Sequence, residues 1–205
     1  PLPNINIQIC DANLNEVLTT NRGQIVVDTP SSMLNYYKNN VESNKYFYVD
    51  ETGKRWNCTG DIWYVDYNGN LYVEGRASDY SIINGEKIYN FDIEKIIKKN
   101  KNIKMCDVLS KNDDNNCEKL VAHIILDDNA NDIDDFNILR DLQNEIYNET
   151  NNLNMVPFIF KIRKDFPYAK SGKRNIQQMK NETEGFIYMD NNLEKEGFCK
   201  TLKRK

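Results

Sequence analysis

The spacing of hydrophobic residues along the chain changes near residue 75. Before this point, apolar and polar residues alternate in short runs that are separated by turn-forming residues. Alternation with a period of two is typical of strands that bury one face, so this part of the chain is predicted to be β-rich. The predicted strands cover residues 5–10, 24–28, 45–49, 62–66 and 71–74.

After residue 80 the pattern is mixed. Two segments carry apolar residues at helical spacing, and the others are apolar runs of strand length. The helices are expected at 91–99 and 136–148, and the strands at 80–83, 105–110, 120–126 and 156–162. Residues 185–188 are compatible with a short extra strand. Alternating strands and helices predict a small sheet covered by helices. The expected fold class is therefore α+β: a β-rich body, then a small mixed α/β domain with a three-stranded sheet plus a hairpin.

One hairpin is predicted from its turn residues. Asn68 and Gly69 stand between two runs rich in β-branched and aromatic residues. Asn-Gly favours a two-residue turn because both central residues must accept a positive φ. A tight corner is expected at 59–61, directly before the first strand. Because a hairpin folds back on itself, Asp61 and Arg76 are expected at the same end of the sheet.

Charge and cysteine content exclude several classes of protein. The net charge of −4 and the pI near 5.2 argue against nucleic acid as a partner, since phosphate binding requires a basic surface. The five cysteines contain no C-x-x-C pair, so neither a disulfide framework nor a zinc site is expected. His123 lies in an apolar run and is interpreted as a half-buried strand residue rather than a catalytic or metal-binding one. No apolar run approaches the ~18 residues that cross a bilayer, and we expect a cytoplasmic protein.

Four short motifs occur in a fixed order. They read T-G-D at 59–61, G-R-A-S-D at 75–79, G-E-K-I at 85–88 with I-E at 93–94, and P-Y-A-K-S-G-K at 167–173. Together they resemble the AMP-forming adenylating enzymes: acyl-CoA synthetases, adenylation domains of nonribosomal peptide synthetases, and luciferases. Residues 31–39 also resemble a helix of that family, loosely.

The resemblance implies a domain organisation. Residues 1–75 correspond to the last β-rich part of the large N-terminal domain, 76–79 to a hinge, and 80–180 to a mobile C-terminal lid. Residues 181–205 form a tail to which the resemblance assigns no role. We therefore expect the chain to be the C-terminal piece of a longer enzyme and to be inactive alone.

Roles on the nucleotide side follow from the resemblance. Asp61 corresponds to the aspartate that accepts hydrogen bonds from the ribose hydroxyls, and Arg76 to the arginine that meets the ribose and phosphate. Ser78 occupies the hinge position, where relatives carry Asp or Lys. The plainer alternatives are that Asp61 is an Asx cap on its turn and that Arg76 is a partner in a surface ion pair.

Roles on the acyl side follow in the same way. Gly85, Glu86 and Lys87 correspond to a loop that lines the channel of the incoming thiol. Lys173 corresponds to the lysine that bridges the substrate carboxylate and the α-phosphate during adenylation. The plainer interpretations are a turn glycine and a solvated loop lysine.

The implied reaction has two steps. A small carboxylic or amino acid and MgATP give an acyl adenylate, and a thiol then takes the acyl group. The thiol belongs to CoA or to the phosphopantetheine of an acyl or peptidyl carrier protein. No metal ligand is expected within the chain, and the Mg²⁺ site is expected outside it. A degenerate, non-catalytic nucleotide-binding or scaffold paralogue stays open as the alternative, because Ser78, Ala169 and Ile176 depart from the family pattern.

Overall fold

The computed structural model describes residues 3–113, 116–130 and 133–189, together with the backbone of a short strand at 202–204. Most of the tail at 181–205 therefore lies outside the described residues. The chain divides into two compact units, residues 1–79 and 80–205. The longest described helix has 16 residues, and none among the described residues is long and apolar enough to cross a membrane.

The first unit is built on a five-stranded antiparallel sheet. Its elements are β1 (Asn6–Cys10), β2 (Gly23–Asp28), α1 (Asn40–Tyr46), β3 (Phe47–Val49), β4 (Arg55–Val65) and β5 (Leu71–Arg76). The long strand β4 pairs with β2 along one edge and with β3 and β5 along the other. Cys10, Val26 and Trp56 form the buried centre of the sheet. The predicted β-rich character of this part is confirmed.

The prediction for residues 31–49 is partly wrong. Residues 31–39 are not helical, and the helix begins at Asn40 instead. Asn39 caps it, since its side chain accepts a hydrogen bond from the backbone N–H of Glu42 at 3.2 Å. The helix continues to Tyr46, so the strand predicted at 45–49 begins only at Phe47. The Asn39 cap sets the start of this helix. The spacing of hydrophobic residues does not predict a helix start that depends on a capping side chain.

The corner expected at 59–61 is a bulge inside a continuous strand. Gly60 has φ +76°, and β4 runs unbroken through it. The register against β2 shifts here, because Gln24 pairs with Ile62 while Val26 pairs with Cys58. The additional residues of β4 bend the strand locally without ending it.

The Asn68-Gly69 turn is longer than predicted. Of the two central residues, Gly69 has a positive φ, at +81°, and Asn68 does not. The Asp66 carboxylate accepts hydrogen bonds from the backbone N–H groups of Asn68 and Asn70, at 2.9 and 2.8 Å. This side chain closes a loop over residues 66–70, so the expected two-residue turn does not form.

The second unit contains a five-stranded sheet, a separate hairpin and three helices within the residues that the structure describes. The hairpin is β6 (Tyr80–Ile83) and β7 (Glu86–Tyr89). The other elements are α2 (Asn90–Ile97), β8 (Ile103–Asn112), β9 (Glu118–Leu126), α3 (Asp135–Thr150), β10 (Ile159–Ile162), α4 (Ile176–Asn181), β11 (Ile187–Met189) and β12 (Leu202–Arg204). The fold class is confirmed, but the sheet has five strands rather than three, in the order β12-β11-β10-β9-β8. Strands β9 and β10 run parallel and the other neighbours antiparallel.

The two faces of this sheet are covered differently. Alternate residues of a strand point to opposite faces. One face of β8 and β9 presents Cys106, Val108, Ala122 and Ile124 to a large core that includes α2, α3 and the β6–β7 hairpin. On the other face, a smaller cluster contains Leu109, Ile125, Phe166 and Met179. The hairpin and the segment that begins at Phe166 therefore pack on opposite faces.

Candidate functional site

Asp61 and Arg76 lie side by side at one end of the β4–β5 pair. They are direct partners in the register of the two strands. The Arg76 Nη1 lies 3.0 Å from the Asp61 Oδ1 and also donates to the Thr59 carbonyl at 3.0 Å. Both side chains remain accessible, with 62% of Arg76 and 31% of Asp61 exposed. The expectation that the hairpin brings them to one end of the sheet agrees with this geometry, although strand β4 is longer than predicted.

The backbone beside this pair is fixed by the bulge. Thr59 donates its hydroxyl to the Ile25 carbonyl at 3.0 Å and accepts from the Asp61 N–H at 3.2 Å. The Ala77 N–H donates to the Gly60 carbonyl at 2.7 Å. Asp61 and Arg76 thus form a preorganised pair that is accessible to solvent. The Asp61 carboxylate can accept hydrogen bonds, and the Arg76 guanidinium can donate them.

Ser78 lies in the short link after this pair. It is exposed, in a turn closed by the Asp79 N–H donating to the Arg76 carbonyl at 3.1 Å. The boundary between the two compact units falls directly after Asp79. Its assignment as a hinge stays a prediction.

Gly85 forms the tip of the β6–β7 hairpin. Asn84 and Gly85 have φ of 51° and 83°, the geometry of a two-residue turn in which both residues have positive φ. Glu86 anchors this tip, because its carboxylate accepts from the amides of Asn152 and Asn154 at 2.8 and 2.7 Å. The Asn84 amide also donates to the Asn154 side chain at 2.7 Å. These asparagines are not predictable from the sequence pattern, since their place beside the turn depends on the tertiary fold.

Glu86 and Lys87 do not lie in the expected loop. They begin strand β7, so only Asn84 and Gly85 form the turn. The Lys87 Nζ lies 4.4 Å from the ring centroid of Tyr80 and 4.8 Å from that of Tyr89. Its charge rests against aromatic faces on the hairpin.

Lys173 lies on an exposed turn. The Ala169 N–H donates to the Lys173 carbonyl at 2.8 Å, and the Gly172 N–H donates to the Ala169 carbonyl at 2.9 Å. Gly172 has φ +76°, which lets the chain reverse here. No ion pair or hydrogen bond of the Lys173 side chain lies within the part of the chain that the structure describes. Its ammonium group is therefore free to meet an anion.

The residue after Lys173 has a structural role that no sequence motif predicts. Arg174 forms an ion pair with Asp107 of β8, and its guanidinium carbon lies 4.0 Å from the ring centroid of Phe166. Its Nη1 also lies 3.5 Å from the Cys106 carbonyl. Adjacency to Lys173 was the only hint in the sequence, because Asp107 is distant along the chain.

His123 has a structural position on β9. It is 2% exposed, and its Nδ1 accepts a hydrogen bond from the Arg163 Nε at 3.0 Å. Burial and the neighbouring positive charge of Arg163 lower the pKa of His123 to about 4. The neutral ring is fully rather than half buried, and no chemistry is assigned to it.

The described residues contain no group of three or more His, Cys, Asp and Glu side chains placed to hold a metal ion. The candidate residues instead form an acceptor and donor pair, Asp61 with Arg76, in the first unit. In the second unit they lie in two exposed turns, at Gly85 and Lys173, whose flanking apolar residues pack on opposite faces of one sheet.

Comparison with known proteins finds CoA ligases among the relatives of this chain. The 2-succinylbenzoate–CoA ligase of Listeria monocytogenes serotype 4b is 35% identical over 113 residues, which are 55% of this chain and 23% of that protein. The acetyl-coenzyme A synthetase of Methanothrix soehngenii is 33% identical over 132 residues, 62% of this chain and 20% of that protein. The resemblance to AMP-forming adenylating enzymes is confirmed. No model of a known protein family matches the chain.

Solved structures of adenylating enzymes share the fold. The O-succinylbenzoate coenzyme A synthetase of Bacillus subtilis, in complex with AMP, aligns with a TM-score of 0.66 at 24% identity. The alignment covers 90% of this chain and 35% of that one. The chain thus spans less than a quarter of the length of the two curated relatives above and about a third of this structure.

Proposed function

We propose that this chain supplies the C-terminal part of an ATP-dependent, AMP-forming ligase that joins a small carboxylic acid to a thiol. The observation that carries the proposal is that the apolar residues flanking the Gly85 turn and those flanking the Lys173 turn pack on opposite faces of one sheet. A single active site meets only one face of that sheet at a time, so the two turns are suited to two successive steps.

In the first step, a carboxylate oxygen of the substrate attacks the α-phosphorus of ATP. A new C–O–P linkage forms, and the bond from the α-phosphorus to the bridging oxygen breaks, so that pyrophosphate leaves with the electron pair. The exposed Lys173 ammonium offsets the negative charge that the carboxylate and the α-phosphate bring together. Asp61 accepts hydrogen bonds from the ribose hydroxyls, and Arg76 meets the ribose and phosphate side.

In the second step, the thiol sulfur attacks the acyl carbon and loses its proton to solvent. An S–C bond forms, and AMP leaves with the electrons of the C–O bond. We propose CoA as the thiol, because the curated relatives are CoA ligases. Gly85 leaves open space at the tip of its hairpin, where an added Cβ meets no atom within 4 Å. That space suits a narrow pantetheine arm. Since ATP and CoA are cytoplasmic compounds, the cytoplasm is the proposed location.

Magnesium accompanies ATP in reactions of this class and neutralises phosphate charge. Among the described residues, no group of three or more His, Cys, Asp and Glu side chains is placed to hold it. The chain's own residues in the proposal bind the nucleotide, orient the carboxylate and leave a path for the thiol.

The decisive experiment is pyrophosphate exchange in the enzyme that contains this chain. Lys173→Ala should lower exchange by ~10²–10³, the usual cost of losing one preorganised charge or donor. Thioester formation from a preformed adenylate should survive, because Lys173 serves only the first step. Lys170→Ala, on the same exposed turn, is the matched control and should retain exchange.

Two outcomes would contradict the proposal. If Lys173→Ala left exchange intact, adenylation would not depend on this turn. If the unaltered enzyme gave no exchange across a panel of carboxylic and amino acids, the non-catalytic paralogue would be favoured instead.

A further inference from the structure

The turn that carries Lys173 stands at the end of a small hairpin. The backbone N–H of Asn175 donates to the Pro167 carbonyl at 2.8 Å, and Tyr168 and Arg174 form a bridge between the two arms. Residues 170–172 at the tip are exposed. Hydrogen bonds within the hairpin therefore fix its shape, but they do not fix its direction relative to the sheet.

Two apolar side chains and one ion pair attach this hairpin to the sheet. Phe166 and Met179, on either side of it in sequence, are buried against Leu109 and Ile125. These contacts hold its base. The side chain nearest to Lys173 that reaches the sheet is Arg174, through its ion pair with Asp107.

The Arg174 guanidinium is held on three sides. It pairs with the Asp107 carboxylate, lies against the Phe166 ring at 4.0 Å, and approaches the Cys106 carbonyl at 3.5 Å. The exposed fractions of the Arg174 and Asp107 side chains are only 24% and 16%. A planar guanidinium in such a setting loses rotational freedom, and the low local dielectric strengthens its ion pair.

We infer that Arg174 and Asp107 are positioning residues that aim the Lys173 ammonium during adenylation; this inference rests on the proposed function. Arg174 acts through its neighbour and touches no reacting atom. Because Arg174 and Lys173 are adjacent, a shift in the guanidinium changes the direction of the lysine backbone. A misplacement of about 1 Å in a positioned group costs up to ~10²-fold in rate.

The test uses the enzyme that contains this chain, with Arg174→Met and Asp107→Asn. Each should lower kcat for pyrophosphate exchange by about 10- to 100-fold, while KM for ATP and thioester formation from preformed adenylate stay unchanged. The double variant with Arg174→Asp and Asp107→Arg should recover part of the lost kcat, since the ion pair is restored with its ends exchanged. Lys99→Met, which breaks an exposed ion pair with Glu149, is the matched control and should retain full activity.

The Arg174→Lys variant tests whether the positive charge of Arg174 is sufficient or whether its planar guanidinium is also required. It keeps the positive charge but loses the flat group that lies against Phe166, so an intermediate kcat is expected. Thermal unfolding of every variant shows whether the fold is intact; Asp107→Asn, which is isosteric, keeps the test valid if Arg174→Met fails to fold.

The outcomes distinguish the positioning role of Arg174 and Asp107 from the proposed ligase function. If Lys173→Ala abolishes exchange while Arg174→Met and Asp107→Asn leave kcat unchanged, the positioning role is wrong and the proposed function stands. An equal loss in both half-reactions would show that the pair only supports the fold. If Lys173→Ala itself leaves exchange intact, the proposed function is wrong.

Discussion

Replacing Gly85 with leucine should separate the two half-reactions. The turn that contains Gly85 is expected to serve the thiol step only. A side chain at its tip should therefore spare adenylation and obstruct thioester formation. The structure allows the cost to the fold and the cost to the reaction to be worked out separately.

The cost to the fold comes from backbone conformation alone. Gly85 has φ +83°, and a Cβ added there meets no atom within 4 Å. The left-handed region costs a residue other than glycine about 1–2 kcal/mol. The anchor from Glu86 to Asn152 and Asn154 holds the turn in place, so the strain is retained rather than relieved. We expect Tm to fall by several degrees with the fold preserved.

The cost to the reaction comes from bulk in the thiol path. When the thiol is bound, the leucine side chain would compete with it for the same space. Overpacking of this kind costs about 1–3 kcal/mol. At about 1.4 kcal/mol per tenfold, thioester formation should slow by about 5- to 150-fold. Pyrophosphate exchange should stay close to that of the unaltered enzyme, because Lys173 lies on the other face of the sheet.

Gly53 provides the matched control. It also has φ +83° with no atom within 4 Å of an added Cβ, and it closes a turn with Asp50 in the first unit. Gly53→Leu should carry the same backbone strain and leave both half-reactions unchanged. Equal slowing of both steps by Gly85→Leu, or slowing of the thiol step by Gly53→Leu, would refute the assignment of the Gly85 turn to the thiol.

Two further predictions concern nucleotide binding and pH. Asp61→Ala should raise KM for ATP about tenfold or more with little change in kcat, as expected when a charged hydrogen-bond acceptor is lost from uniform binding; an unchanged KM in a nucleotide titration would contradict this role. His123 takes up a proton far more readily when unfolded, so the unfolding free energy of the second unit should fall by up to about 3 kcal/mol as pH drops from ~6.5 towards 4. Urea unfolding at several pH values should show this fall in unfolding free energy. His123→Leu should make the fall smaller, because the variant has no imidazole to take up a proton beside Arg163.

Periodicity predicted the elements that bury a whole face. Helix α2 was expected at 91–99 and covers Asn90–Ile97, with Ile93, Ile96 and Ile97 buried. Helix α3 and strand β9 also agree with prediction to within two residues at each end. Burial imposes the apolar period directly, so these elements are readable from the sequence.

Turn geometry was not readable in the same way. The chain contains Asn-Gly twice, and only the pair at 84–85 adopts the turn in which both residues have positive φ. At 68–69, Asp66 supplies two hydrogen bonds to the backbone and selects a longer loop. The dipeptide is identical, and a neighbouring side chain decides the outcome.

Short edge strands and ion pairs could not be predicted, because both depend on contacts with residues that are distant in sequence. Strand β12 has three residues, too few to show a period, and is defined by its pairing with β11. The partner of Arg174 is Asp107, which lies on a strand far earlier in the chain. Motifs identified Lys173, but the contacts that orient it required the tertiary structure.

One short segment of β8 connects both faces of the second unit. On one face, the Val108 N–H donates to the Glu94 carboxylate of α2 at 3.0 Å, and the Cys106 thiol donates to the Glu94 carbonyl at 3.7 Å. On the other face, Asp107 between them pairs with Arg174. Helix α2 follows directly after the Gly85 hairpin, so residues 106–108 connect the Gly85 and Lys173 turns to one strand. Because a packed strand does not bend freely, we expect the two turns to move together, so that a motion withdrawing Lys173 from a site would also present Gly85 to it.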